Sequence, residues 1–207
     1  NLNRLTNMIT AIDPQTALVL IDLQKGIVGM STVHPATNII AKSADLLKAC
    51  RAAGFPVVVV NVYPLGAPWT LARTQSPGLP KDAEAIKQAK AQMEQNGFFD
   101  IVPEIEVLEN DVRITKTGWN AFYNTTLDET LKGLGVTSII LAGISTSIGV
   151  EGTARAASER GYNITFAEDA MTDLHADAHE HSLKNIFPRI GEIDSTENII
   201  KKLNEIR

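Results

Sequence analysis

Short apolar, β-branched runs alternate with stretches of helical spacing along almost the whole chain. That alternation constrains the fold more than any single residue does. Thr16 to Asp22 is apolar enough for a strand buried on both faces, and so are Val57 to Val62 and Ser138 to Gly143. Asn163 to Ala167 gives a fourth such strand, Val112 to Lys116 another, and Ile190 to Ile193 a short last one. Between them, Pro35 to Ala53 carries Ile39, Ile40, Ala44, Leu47 and Ala49 at helical spacing and stops at Gly54. Helices are also predicted over Lys81 to Gln95, Asn124 to Leu134, Ile148 to Arg160, His175 to Phe187 and Ser195 to Arg207. Strand–helix–strand alternation predicts a three-layer α-β-α architecture, a parallel sheet of about six strands covered on both faces.

The 207 residues fit one such domain. Residues 1–15 read as an extended lead-in, with Met8 and Asn1 both candidates for the start. The regular pattern fails over 63–110, where Pro64, Gly66, Pro68, Pro77, Gly78 and Pro80 mark Tyr63 to Pro80 as loop. An irregular segment this long is usually a functional lid or an interface. The net charge of −5 supplies no basic field for a nucleic acid, so the expected ligand is a small molecule. The single cysteine, Cys50, excludes an internal disulfide framework and reads as a small buried hydrophobe. No apolar run approaches the ~20 residues of a membrane span, and Asn1 to Thr10 has no signal-peptide core, so the expected location is the cytoplasm.

Chemistry in a parallel sheet belongs at the carboxyl ends of the strands. Asp22 follows five apolar residues and emerges there, with Gln24 two residues on as a candidate substrate contact. Poor solvation raises such a carboxyl's pKa and a nearby lysine lowers it. A structural acid capping a loop is the competing reading. Lys116 ends its own strand and leads into Thr117-Gly118-Trp119-Asn120-Ala121-Phe122, a turn that exposes aromatics. It suits pairing with Asp22 or holding a substrate carboxylate. Trp119, Phe122 and Tyr123 are candidates for an apolar wall, or for core and interface. Ser145, Thr146, Ser147, Ile148 and Gly149 lie between a strand and a helix, where free backbone N–H groups suit an oxyanion or carboxylate. Ser147 and Thr146 are also candidate nucleophiles or caps, although no activating base follows from spacing. His175 and His179 share a helix face, but residue 176 is Ala rather than the glutamate of a metalloprotease motif.

Three motifs in order carry a resemblance: Ala17-Leu18-Val19-Leu20-Ile21-Asp22-Leu23-Gln24, then Ile114-Thr115-Lys116-Thr117-Gly118-Trp119-Asn120-Ala121-Phe122, and Leu141 to Arg155, with Glu168-Asp169-Ala170 following as the exit from the next strand. The chain resembles the isochorismatase-like hydrolases, the cysteine-hydrolase-like α/β superfamily that includes nicotinamidase and N-carbamoylsarcosine amidohydrolase. The resemblance runs from Ala17 to about Ile200. It implies a Rossmann-like six-stranded parallel sheet, a homo-oligomer (a dimer or tetramer), Asp22 as catalytic acid/base with Lys116 as partner, and a cis peptide at Ile144–Ser145. Amidase members place their cysteine where this chain has Gly149, so thiol catalysis of their type is not expected here. Metal-binding nicotinamidases carry an Asp and His cluster after the second strand. Asn61 to Trp69 has none, so no catalytic metal and no other cofactor are expected.

The function this implies is hydrolysis of a small molecule without an enzyme thiol. A vinyl ether such as isochorismate fits, with Asp22 as general acid and Gly149 leaving room for the substrate. An amidase using Ser147 or water, and a catalytically silent binding or scaffold protein, are the alternatives. Isochorismate's second carboxylate needs a cation or dipole, for which Arg73 and the helix start at Ile148-Gly149 are the candidates.

Overall fold

The computed structural model describes residues 8–72 and 79–206. Its six strands are β1 (Thr16–Ile21), β2 (Val57–Val62), β3 (Val112–Lys116), β4 (Ser138–Ile144), β5 (Asn163–Thr172) and β6 (Glu192–Asp194). They form one sheet in the order β3-β2-β1-β4-β5-β6, and every pairing is parallel. The chain winds outward from β1 to β3, returns to the centre, and winds the other way from β4 to β6. The carboxyl ends of β1 and β4 therefore flank the topological switch point, where open α/β sheets bind ligands.

The period of two in β1 sorts its side chains between two cores. Leu18 and Leu20 join Ile39, Leu46, Leu47, Ile199 and Leu203 on one face. Those residues come from α2 (Ala36–Ala52) and α8 (Thr196–Glu205). Ala17, Val19 and Ile21 join Leu127, Leu131, Ala154 and Ala157 on the other, from α5 (Leu127–Gly133) and α6 (Glu151–Glu159). Every β1 residue is buried, as a strand covered on both faces requires. Cys50 sits in the first core, and burial pushes its thiol up to about 12, which makes it inert.

Several local expectations are corrected. β5 does not end at Ala167 but runs to Thr172, because it bulges. Leu141 pairs with Phe166 while Gly143 pairs with Met171, so five residues of β5 span two of β4. Glu168-Asp169-Ala170 is thus inside the strand, and Asp169 is occupied by Lys42 at 3.3 Å and by the amide of Thr196 at 2.7 Å. The strand exit is Asp173. Tyr63 to Pro80 is not wholly loop: a short α3 (Pro68–Leu71) lies within it. Ahead of α6, Thr146–Val150 forms a π-helical turn rather than a plain helix start. The segment expected as one helix over 175–187 divides into α7 (Ala176–His181), a π-helical turn (Ser182–Ile186) and a 3₁₀ turn (Phe187–Arg189). The remaining helices are α1 (Lys25–Val28) and α4 (Ala83–Gln95), the latter capped by Asp82, which accepts from the amide of Ala85 at 2.8 Å. No helix among the described residues is long and apolar enough to cross a membrane.

At the centre of the sheet Gly143 pairs with Ile21 and has φ +125. A Cβ there would stand 2.1 Å from the carbonyl oxygen of Ile21. The left-handed backbone and the contact with main chain both demand glycine. Gly143→Ala is expected to lower stability by about 2 kcal/mol or more, read as a fall in urea midpoint. An unchanged midpoint would show that β1 and β4 separate easily.

Candidate active site

Asp22 continues β1: its amide donates to the Val60 carbonyl at 2.9 Å. Its φ of +53 then turns the chain, a left-handed conformation that costs a non-glycine residue about 1–2 kcal/mol. Lys116 closes β3, two strands away across β2. Strands lie about 4.8 Å apart, so the pair must bridge roughly 10 Å between backbones, which the long lysine stem accomplishes. Lys116 Nζ donates to Asp22 Oδ2 at 2.7 Å and to the Gly118 carbonyl at 3.0 Å. Asp22 is 4% exposed and Lys116 2%.

Burial dominates the electrostatics. It pushes the Asp22 carboxyl from 3.8 up to about 6, although the Lys116 ammonium and its hydrogen bond pull the other way. Asp22 Oδ1 is buried and has no hydrogen-bond partner among the described residues. Such an orphaned acceptor is the kind of atom a substrate or a transferred proton satisfies. Gly149 borders the same carboxylate. A Cβ built on it would lie 3.1 Å from Asp22 Oδ2 and 2.9 Å from the Ile21 methyl. Gly149 thus fits closely against the ion pair, and the space it leaves is smaller than the expectation of room for a substrate implied. The peptide between Ile144 and Ser145 is cis.

The other candidates separate into those near this pair and those used elsewhere. Trp119 is 53% exposed, with its ring 6.4 Å from that of Trp69, whose indole donates to the Thr117 carbonyl at 2.6 Å. Trp119 stands on the turn that follows Lys116, and Trp69 reaches that turn from α3. Phe122 instead packs in the core beside Tyr162, beneath the guanidinium of Arg160. Its ring anchors the turn in that core while Trp119 stays exposed. Gln24 is fully buried and its amide is spent on structure: Nε2 donates to the carbonyls of Val62 and Phe98, and Oε1 accepts from the amide of Val62. Arg73 lies outside the described residues.

In the segment Ser145 to Gly149, two amides expected to be free are engaged, and so is that of Val150 just beyond it. Ser147 donates to Asp173 Oδ2 at 2.7 Å, and Ile148 and Val150 donate to the Ser145 carbonyl. Ser145 and Ile148 are half-buried. The Ser147 hydroxyl donates to the same Asp173 oxygen at 2.8 Å, while Asp173 Oδ1 accepts from the amides of Leu174 and His175. With that many donors, Asp173 is a clamp on this turn. Thr146 does have a base within reach, His179 Nδ1 at 2.8 Å, but its hydroxyl is wholly buried. His175 and His179 do not face one site, since His175 only precedes α7 while His179 turns inward. Asp173 escaped the sequence reading, and His179 entered it only as half of a metal-like pair with His175. The apolar-then-acid pattern Ala170-Met171-Thr172-Asp173 repeats that of Ile21-Asp22 and was the available signal for Asp173.

Asp22 should show a carboxyl titration near pH 6 by ¹³C NMR. Its raised pKa favours the folded protein fully below pH ~4, and that contribution is lost as pH rises through 6. Lys116→Met removes the attraction and keeps the burial, so the midpoint is expected to climb by at least one pH unit. A midpoint that falls would show that water enters freely.

Residues 16–198 match the isochorismatase domain family. The chain is 36% identical over 189 residues to the uncharacterized isochorismatase family protein YecD of Escherichia coli O157:H7, covering 91% of this chain and 96% of that one. It is 27% identical over 207 residues to the ureidoacrylate amidohydrolase RutB of Variovorax paradoxus (strain S110), covering 90% and 80%. An isochorismatase family protein from Burkholderia thailandensis shares its fold with a TM-score of 0.79 at 33% identity, over 94% of this chain and 98% of that one. With the six-stranded parallel sheet and a match over nearly its whole length, the chain belongs to the isochorismatase family of α/β hydrolases.

Proposed function

We propose that this hydrolase acts on a small molecule by proton transfer through Asp22, without an enzyme nucleophile, and that an enol (vinyl) ether of the isochorismate type is its substrate class. The buried, unpartnered Oδ1 of Asp22 carries this reading: it belongs to a carboxyl whose pKa of about 6 leaves a usable protonated fraction near neutrality. Residue 149 is glycine, the Ser147 hydroxyl is held by Asp173, and the Thr146 hydroxyl is buried, so no side chain of this turn is presented for attack.

The reaction balances without one. Protonated Asp22 delivers its proton to the terminal vinyl carbon, and the ether oxygen stabilises the resulting oxocarbenium ion. Water adds to the cationic carbon and returns a proton to Asp22. The hemiketal then collapses to an alcohol and a ketone, which is pyruvate when the enol ether carries a carboxylate. A substrate carboxylate drawn to Lys116 competes for the ammonium. That competition weakens the Lys116–Asp22 attraction and raises the pKa of Asp22 when the acid is needed.

The amidohydrolase relative favours a second reading, in which ionised Asp22 is a general base that activates water toward an amide. The two differ in the sign of their pH dependence. As an acid, Asp22 is competent below about pH 6 and activity falls as pH rises through it. As a base it is competent above, and activity rises. The test is pyruvate release from isochorismate across pH 5–8, with Asp22→Asn beside the wild type. The expected outcome is release that declines above pH ~6 and a loss of 10²–10⁴-fold in the variant. Turnover unaffected in Asp22→Asn would overturn the acid role, and amide turnover with the opposite limb would replace the reaction.

A further inference from the structure

The turn that carries Gly149 is gripped from the far side by residues that the proposed reaction does not use. Asp173, at the exit of β5, holds the amide and hydroxyl of Ser147. One residue earlier, Thr146 Oγ1 and His179 Nδ1 share a hydrogen bond of 2.8 Å. Thr146 is 0% exposed and His179 6%, so neither polar atom has water as a substitute. His34, between α1 and α2, closes the group: its ring lies edge-on to His179 at 4.9 Å, and its Nδ1 is 3.1 Å from Thr172 Oγ1. Thr146 and Gly149 lie in the same single π-helical turn, and Gly149 lies against Asp22 Oδ2. A displacement of Thr146 is therefore passed to the wall that keeps Asp22 out of water.

We propose that His179 is a positioning residue: its hydrogen bond to Thr146 presses the Thr146–Val150 turn against Asp22 and maintains the desolvation on which the acid role of Asp22 depends. This rests on the Asp22 reading above and adds the element that sustains it. Neutral imidazole suits the task, because its Nδ1 either accepts from the Thr146 hydroxyl or donates to it. An imidazolium only donates, and the Thr146 proton would then need another acceptor in a buried site. The groups facing His179 are His34 from the α1–α2 connection, Asp173 from the β5 exit and Glu180 from its own helix. Burial and His34 keep it neutral more strongly than Asp173 and Glu180 favour its charged form, so its pKa lies below 6.5.

The test reads the Asp22 carboxyl by ¹³C NMR and needs no substrate. His179→Leu fills the space but removes the bond, and Thr146→Val removes it from the other side, so either variant that folds reports. His179→Asn keeps a polar atom near the position of Nδ1. The expected result is an Asp22 midpoint about one pH unit lower in His179→Leu and Thr146→Val, and one close to wild type in His179→Asn. One unit corresponds to about tenfold less protonated Asp22 at pH 7. A wild-type midpoint near 6 that both bond-removing variants leave unchanged overturns the role of His179 and leaves the acid reading standing. A wild-type midpoint near 4 overturns the acid reading itself, whatever the variants do.

Discussion

The carboxyl edge of the sheet is organised by an ammonium and a carboxylate 2.7 Å apart and almost entirely out of water. Such a pair gains from mutual attraction and loses from desolvation, and the loss is often the larger. Here the balance is visible in the carboxyl itself, which is pushed up to about 6 in spite of its partner. The pair needs a second acceptor for the ammonium, which the Gly118 carbonyl supplies, and it leaves Asp22 Oδ1 unsatisfied. A site that served only stability would be expected to satisfy that atom. Leaving it open is consistent with a group that exchanges protons.

Crowding at the switch point is the second constraint. β1 and β4 approach so closely at Ile21 and Gly143 that no Cβ fits between them. The next residue of β1, Asp22, turns into a left-handed conformation, and the turn after β4 brings Gly149 against it. The two glycines have different reasons. Gly143 is required by main chain against main chain. Gly149 meets side-chain atoms instead: a Cβ there would face the Cγ2 methyl of buried, β-branched Ile21 at 2.9 Å and a carboxylate oxygen of Asp22 at 3.1 Å. The first glycine is a demand of the backbone, and the second a demand of the packing around the ion pair.

The support for this arrangement comes from β5 and α7 rather than from the strands that bear Asp22 and Lys116. A bulge lengthens β5 enough to deliver Asp173 to the turn, and α7 then returns His179 to Thr146. The sequence reading stopped that strand at Ala167, because Glu168 and Asp169 look like a polar exit. Bulges hide from periodicity, since the extra residues break the alternation that marks a strand. Gln24 misled for a related reason. Its place two residues after Asp22 suggests a ligand contact, but Val62 engages both ends of its side-chain amide, and the segment at Phe98 and Ile101 folds over it. Phe122 shows the same limit: the turn was legible as aromatic-rich, and which rings face the core was not.

By itself the sequence determined the alternation of strands and helices, the parallel sheet, and the placement of an acid, a lysine and a glycine near strand ends. Those features follow from local physics: apolar runs must be buried, glycines and prolines stop helices, and a polar residue after a buried strand emerges at its edge. Only the tertiary structure decided that Lys116 reaches across β2 to Asp22, that Gly149 rather than a serine borders the pair, and that Asp173 and His179 hold the turn. These depend on strand order and register, which join residues 94, 26 and 33 positions apart in the chain. Contacts at such separations leave no periodic trace in a single sequence, because what they share is a place in space and not a spacing along the backbone.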